Sequence, residues 1–222
     1  VDQRVVNFSR FPLFFPEKRD FFLEDSGIYD FGPGTRRKSR GPTLLPYFTR
    51  RIGLADGEIV PIQLASKLAG RLGDYDVGLT HARLDGASGM GEQDVFAARV
   101  TKQVFAQSRV GVIATGGNPA SDLDNYVGGL DFTYRTNEFL QDKILEANFY
   151  ALGNYAEAAG GGHGTDYAFG AQLSYPNDRW DGTLSYMEIG PDFNPALGYV
   201  RRTGVRTVSG LLRRKDRPGG SG

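Results

Sequence analysis

Residues 167–175 read YAFGAQLSY. In an extended chain Tyr167, Phe169, Ala171, Leu173 and Tyr175 fall on one side, and Ala168, Gly170, Gln172 and Ser174 on the other. This period-two alternation belongs to a β-strand with two unlike faces. A turn at residues 176–179, PNDR, reverses the chain, and Trp180, Leu184 and Tyr186 then alternate with Asp181, Thr183 and Ser185. One antiparallel hairpin results, with aromatic and aliphatic side chains on one face and small or polar ones on the other.

The same grammar extends outward in both directions. In residues 62–72, IQLASKLAGRL, the apolar Ile62, Leu64, Leu68 and Leu72 alternate with Gln63, Lys67 and Arg71; a Gly73-Asp74 turn returns the chain through Tyr75, Val77 and Leu79. Phe96, Ala98 and Val100 alternate with Arg99 and Thr101, Val110 and Val112 with Arg109 and Gly111, Leu130, Phe132 and Tyr134 with Asp131 and Arg135, and Leu145, Ala147 and Phe149 with Glu146 and Asn148. Residues 205–213 supply a last strand. The sequence therefore predicts about nine antiparallel strands in an up-and-down meander over residues 59–222.

Residues 1–58 differ. Their centre, residues 11–32, FPLFFPEKRDFFLEDSGIYDFG, threads six Phe and one Tyr through charged residues. Pro12 and Pro16 break any regular element, leaving a helix only over residues 17–23. Phe14, Phe15, Phe21 and Phe22 are too many aromatics to leave in water, while Glu17, Lys18, Arg19 and Asp20 forbid a lipid-facing strand. This aromatic leader is expected to bury itself against the meander as a plug, its carboxylates meeting the basic wall. Residues 1–7 are expected to form a short strand, and residues 35–42, TRRKSRGP, a basic loop.

Two architectures satisfy the alternation, a soluble sandwich and a membrane barrel. Tyr75, Tyr134, Tyr167, Tyr175, Trp180 and Tyr186 lie near strand ends, as interfacial aromatics do, and strands of about 9–11 residues match a tilted bilayer crossing. The barrel is the better reading. It turns Tyr167, Phe169, Leu173, Trp180 and Leu184 toward lipid and Gln172, Ser174, Asp181 and Thr183 inward. It also makes Lys67, Arg71, Arg99, Arg109, Asp131, Arg135 and Glu146 the lining of a lumen. Short links at 73–74, 105–107 and 176–178 contrast with longer ones expected at 85–94, 116–125 and 157–166, with 136–142 of middling length.

Composition excludes several classes. Lys plus Arg and Asp plus Glu are balanced at 26 each, so no global field favours nucleic acid. The absence of cysteine removes disulfides and thiolate metal sites, and His81 and His163, the only histidines, cannot build a multi-His centre. No cofactor, metal or catalytic set is expected. Asp122, Asp124 and Asn125, or Glu92 and Asp94, offer oxygen ligands but lack EF-hand spacing, and residues 158–166, AAGGGHGTD, lack a P-loop's lysine and read as a flexible external loop. Asp192, Asn194 and Pro195 read as turn formers.

In order, NFSRFPLFFPEKRDFFLEDSGIYDFG, YFTRRIGL, KLAGRLGDYDVGL and YMEIGPDFNPALGYVRR resemble the family known as domain of unknown function 5916. The resemblance spans nearly the whole chain. It implies a Gram-negative outer-membrane barrel, cut from a longer precursor that carries a signal peptide and an upstream family 9 carbohydrate-binding domain. Membrane lipid and a saccharide are the partners it implies, and passage or docking of an envelope substrate the function. It brings no catalytic residues. A surface glycan hydrolase, which requires two carboxylates converging in one pocket, and a scaffold of an envelope complex are the alternative functions. Nine strands depart from the even number usual in such barrels, so the barrel either closes within this chain or is completed outside it.

Overall fold

The computed structural model describes residues 14–33, 43–55, 57–86 and 91–216. The expected strand at 1–7 and basic loop at 35–42 lie outside the described residues. The leader contains one helical turn, α1 (Asp20–Leu23), a 3₁₀ turn at Ser26–Tyr29, the short strand β1 (Leu44–Leu45) and a second 3₁₀ turn at Thr49–Arg51. A small hairpin of β2 (Leu54–Ala55) and β3 (Glu58–Ile59) leads into the meander.

Nine strands then form one sheet: β4 (Ile62–Leu72), β5 (Tyr75–Leu84), β6 (Gln93–Val104), β7 (Ser108–Gly116), β8 (Asn125–Phe139), β9 (Lys143–Ala158), β10 (Gly162–Pro176), β11 (Trp180–Ile189) and β13 (Val205–Arg214). Every neighbouring pair is antiparallel, and the spatial order follows the sequence from β4 to β13. The fold is all-β and up-and-down. Among the described residues the outer edges of β4 and β13 pair with nothing, so the sheet is open. A β-bulge at Gln63 shifts the register of β4 by one residue, which puts Ile62 on the inner face and Leu64 on the outer.

Two connections differ from the expectation. Strands β9 and β10 run on to Ala158 and from Gly162, and Gly160 and Gly161, at φ +97° and +88°, close a tight turn where a flexible loop was expected. His163 is thus a strand residue, its ring stacked on Tyr155 with centroids 5.5 Å apart. Likewise β8 and β9 meet across residues 140–142 only, with Leu140 and Gln141 at positive φ. All four links at that end of the sheet are therefore short, at 73–74, 105–107, 140–142 and 177–179. The longer connections 85–92, 117–124 and 190–204 gather at the other end.

The core lies on one face of the sheet, at the end with the longer connections. Leu84, Val95, Ala97, Ile113, Val127, Leu152, Ala168 and Ile189 point into it from seven strands. Over them pack Phe22, Phe31, Leu44, Tyr47, Ile52 and Val60 from the leader side and Phe193 and Leu197 from the last long connection. The leader is consequently part of the core. Burial of these side chains is what fixes it to the sheet.

Asp192, Asn194 and Pro195 read as turn formers, and the structure gives the loop around them a second role. The side chain of Asn125 donates to the Asn194 carbonyl (2.8 Å) and accepts from the Ala196 amide (3.0 Å), holding the loop so that Phe193 and Leu197 drop into the core. Beyond it β12 (Tyr199–Val200) pairs with β1 of the leader, and the Phe48 amide donates to the Leu197 carbonyl at 2.7 Å. The leader and this loop form one layer over the sheet from two distant parts of the chain.

Candidate functional site: the inner face beneath the leader

The inner face alternates with the outer along every strand, so its chemistry follows from strand parity. Lys67, Arg71, Arg99, Arg109, Asp131, Arg135 and Glu146 all lie on it. They divide into three groups with different work, the Lys67 cap, the Arg99–Asp131 pair and a basin, with Arg71 outside all three.

Lys67 faces the leader. Its ammonium donates to the carbonyls of Phe21 (2.9 Å) and Glu24 (2.7 Å), capping the last turn of α1 where carbonyls lack helical partners. Arg99 and Asp131 form a fully buried ion pair, 2.6 Å from Nη1 to Oδ1. It grips the leader too: Arg99 Nη2 donates to the Asp30 carbonyl at 3.0 Å, its guanidinium lies 5.2 Å from the Phe31 ring centroid, and the Gly32 amide donates to Asp131 Oδ2 at 3.3 Å. The basic wall was expected to meet the leader's carboxylates. It does so at one point, where Lys67 lies 3.9 Å from the exposed Glu24, and otherwise meets backbone carbonyls, because Glu17 is held within the leader.

Glu17 anchors the leader's own fold. Its carboxylate accepts from the Arg19 side chain (2.7 and 2.9 Å), the Thr49 hydroxyl (2.8 Å) and the amides of Lys18 and Arg19. Burial opposes its charge, but these donors outweigh it and bring its pKa down to about 2. Arg19 also donates to the carbonyls of Ile52 and Thr49, both at 2.8 Å, and lies over Phe22. Phe14 stacks on Phe48 and meets Tyr199 edge-on, and Phe15 lies beneath Arg50. Lys18 and Asp20 are exposed. Phe21, expected to be buried, is 41% exposed and meets Phe22 edge-on, since the single turn of α1 can bury only one of two adjacent rings.

The third group lines a polar basin. Gly32 and Pro33 of the leader roof a cavity of about 260 Å³ whose floor spans β6 to β10, including Gln103, Arg109, Thr133, Arg135, Glu146, Asn148 and Gln172. Glu146 sits 3.7 Å from Arg135 and accepts from Asn148, which itself accepts from Thr133. Glu146 is the one carboxylate on this described lining. Arg71 stands apart in a bidentate pair with Asp76 (2.7 and 3.3 Å) across the first hairpin.

The outer face is apolar. Tyr126, Tyr155, Tyr167 and Tyr186 lie toward the end with the longer connections, and Tyr75, Tyr134, Tyr175 and Trp180 toward the short-turn end. Between these rows stand Leu79, Val100, Val112, Leu130, Phe149, Leu173, Leu184 and Val208, without a charge among the described outward residues. Tyr167, Phe169, Leu173, Trp180 and Leu184 are all 38–58% exposed there, while Gln172, Ser174, Asp181 and Thr183 are half-buried on the inner side. Charges flank the belt. Lys102 lies over Tyr75 and Arg214 over Trp180 at one end, and Glu188 accepts from the hydroxyls of Tyr167 and Tyr186 and pairs with Arg206 at the other.

The residues considered for calcium are otherwise occupied: Asp94 pairs with Arg83 at 2.6 Å and with His81, Asp122 accepts from Gln93, and Asn125 holds the 190–198 loop. Among the described residues no three His, Asp or Glu side chains gather as a metal site, and no helix is long and apolar enough to cross a membrane. Fold and site thus define an all-β protein, a single antiparallel meander covered on its inner face by the leader and the 190–198 loop. No family model, curated protein or solved structure matches the chain.

Proposed function

We propose that this chain is the greater part of an outer-membrane β-barrel, through or at which an envelope substrate passes or docks. One observation carries the reading: the uncharged belt of the outer face, edged by two aromatic rows. Tyr134 lies eight positions after Tyr126 on β8, and Tyr175 eight after Tyr167 on β10. At ~3.4 Å per residue and a tilt of about 40°, that is roughly 20 Å across the bilayer, near the height of the apolar band of such barrels. A soluble sheet has no reason to expose Leu68, Leu130, Leu184 and Leu212 at 58–72%.

Among the described residues the edges of β4 and β13 are open, and an edge exposed to lipid would leave its backbone groups unsatisfied, so the reading requires strands that cover them. We take the barrel to be completed by further strands that pair there. The resemblance to the domain of unknown function 5916 family and the polar inner face support the same assignment, with the leader as plug. Deleting residues 14–33 from the full-length protein tests it in planar bilayers. The plug reading expects inserted protein with a large rise in single-channel conductance; an inserted barrel of unchanged conductance overturns it.

A further inference from the structure

Among the described residues, Arg109 is the inner-face cation of the candidate lining with no ion pair. Its Nε is buried without a hydrogen-bond partner. Lys67 caps α1, Arg99 is neutralised by Asp131, and Arg71 holds Asp76, whose charge Arg109 feels but does not bond. A guanidinium Nε shut from water without a partner is costly, and Arg109, half-buried, borders both this basin and a second hollow beside Asp25 and Asp76, so a ligand in the basin can supply the partner that the fold does not. The guanidinium's planar fork matches a carboxylate in bidentate fashion.

What surrounds Arg109 narrows the ligand further. Gln103 and Gln107 line the same basin with amides that both donate and accept, and Asn148 and Gln172, already bonded to Glu146, Thr133 and Ser174, add their remaining donor and acceptor positions. Such groups suit a dense array of hydroxyls better than an apolar body or a bare inorganic anion. The basin holds about 260 Å³, room for a sugar ring, and lies open beneath Gly32 and Pro33. With Glu146 set against Arg135 at 3.7 Å, one positive charge is left over.

We infer that the basin beneath the leader binds an acidic saccharide, with Arg109 receiving its carboxylate and the amides its hydroxyls. This rests on the barrel reading only for the substrate's route, because the basin exists in the folded chain with or without a bilayer. The test uses the full-length protein in detergent micelles at pH 7, titrated by saturation-transfer NMR with galacturonate, its uncharged methyl ester and inorganic phosphate. Galacturonate should bind at least tenfold more tightly than either control, and Arg109→Gln should abolish that preference while Arg109→Lys retains part of it. Equal affinity for acid and ester, equal affinity for phosphate, or no binding of galacturonate overturns the inference. None of these results bears on conductance, so the barrel reading stands or falls separately. If Arg109→Gln fails to fold, the wild-type comparison of acid against ester still decides.

Discussion

Arg99 and Asp131 sit on strands that are not neighbours, and they meet 2.6 Å apart because Gly111 on the strand between them has no side chain. A Cβ at Gly111 would stand 2.7 Å from both terminal nitrogens of Arg99 and from Asp131 Oδ1. The pair and the glycine form one device that holds the leader at Asp30 and Gly32. Asp131→Ala leaves a buried cation alone and should cost about 3–5 kcal/mol, whereas replacing both partners by Met and Leu should cost far less. Gly111→Ala, which only crowds the pair, should cost about 1–3 kcal/mol. Urea unfolding from detergent measures all three. A double replacement as damaging as Asp131→Ala would show that the pair's charge is not what matters.

The leader rests on a second glycine. Gly78 of β5 lies under the 3₁₀ turn at Ser26–Tyr29, where an added Cβ would meet Ile28 at 2.8 Å and Tyr29 at 3.1 Å, and beside it the Tyr29 and Thr80 hydroxyls hydrogen-bond at 2.7 Å. Gly78→Leu should therefore lift this turn while leaving the nine-stranded ladder intact. The expected result is proteolytic cleavage within residues 18–29 at rates well above wild type, with unchanged β-sheet circular dichroism. Tyr29→Phe, which removes one hydrogen bond, should weaken the contact by about 1 kcal/mol.

Leu173 and Leu184 pair directly across β10 and β11 at the middle of the outer belt. An arginine at either should cost about 2–4 kcal/mol in lipid, and one at Gln172, a single residue along but on the inner face, much less. Folding into liposomes, followed by heat-modified gel migration, compares them. Similar costs at both positions would argue against lipid on the outer face.

Strand existence and, apart from Ile62 before the β4 bulge, facing were legible because they are local. Parity assigned the lining residues to one face before any pairing was known, and Tyr167 to Tyr175 displays both faces within nine residues. The layer over the inner face was legible only in part. Excess aromatics between prolines announced that the leader must be buried, but Phe193 and Leu197 looked like loop residues, since nothing nearby reveals that Asn125, some seventy positions earlier, will bond to their backbone neighbours. The glycine-rich stretch before His163 misled for a related reason: Gly160 and Gly161 serve one tight turn, and the cross-strand Tyr155–His163 stack that extends the ladder is invisible in composition. The sharing of the basic wall between Lys67, Arg99 and Arg109 depends on which carboxylates are already taken, and that is settled only by tertiary contacts.

Glu17 makes the leader's internal fold dependent on acid. Its folded pKa is about 2, below the ordinary 4.5, because the donors from Arg19, Thr49 and Lys18 outweigh the burial that opposes its charge. A depressed folded pKa contributes stability that is full above the unfolded value and is lost as pH falls through the folded one. The window is therefore pH 4.5 to 2. Protonation removes charge from the bond to Arg19, which also ties Thr49 and Ile52 to the leader, so α1 should loosen with the segment around Thr49–Arg51. Hydrogen exchange of the Phe22, Leu23 and Glu24 amides, corrected for intrinsic rates, reads this directly, because all three donate within the turn that follows Arg19. Wild-type protection should hold near pH 5 and fall by pH 2.5, while Glu17→Gln should be less protected at pH 5 and show no step across the window. An identical step in Glu17→Gln would place the titrating group elsewhere in the leader.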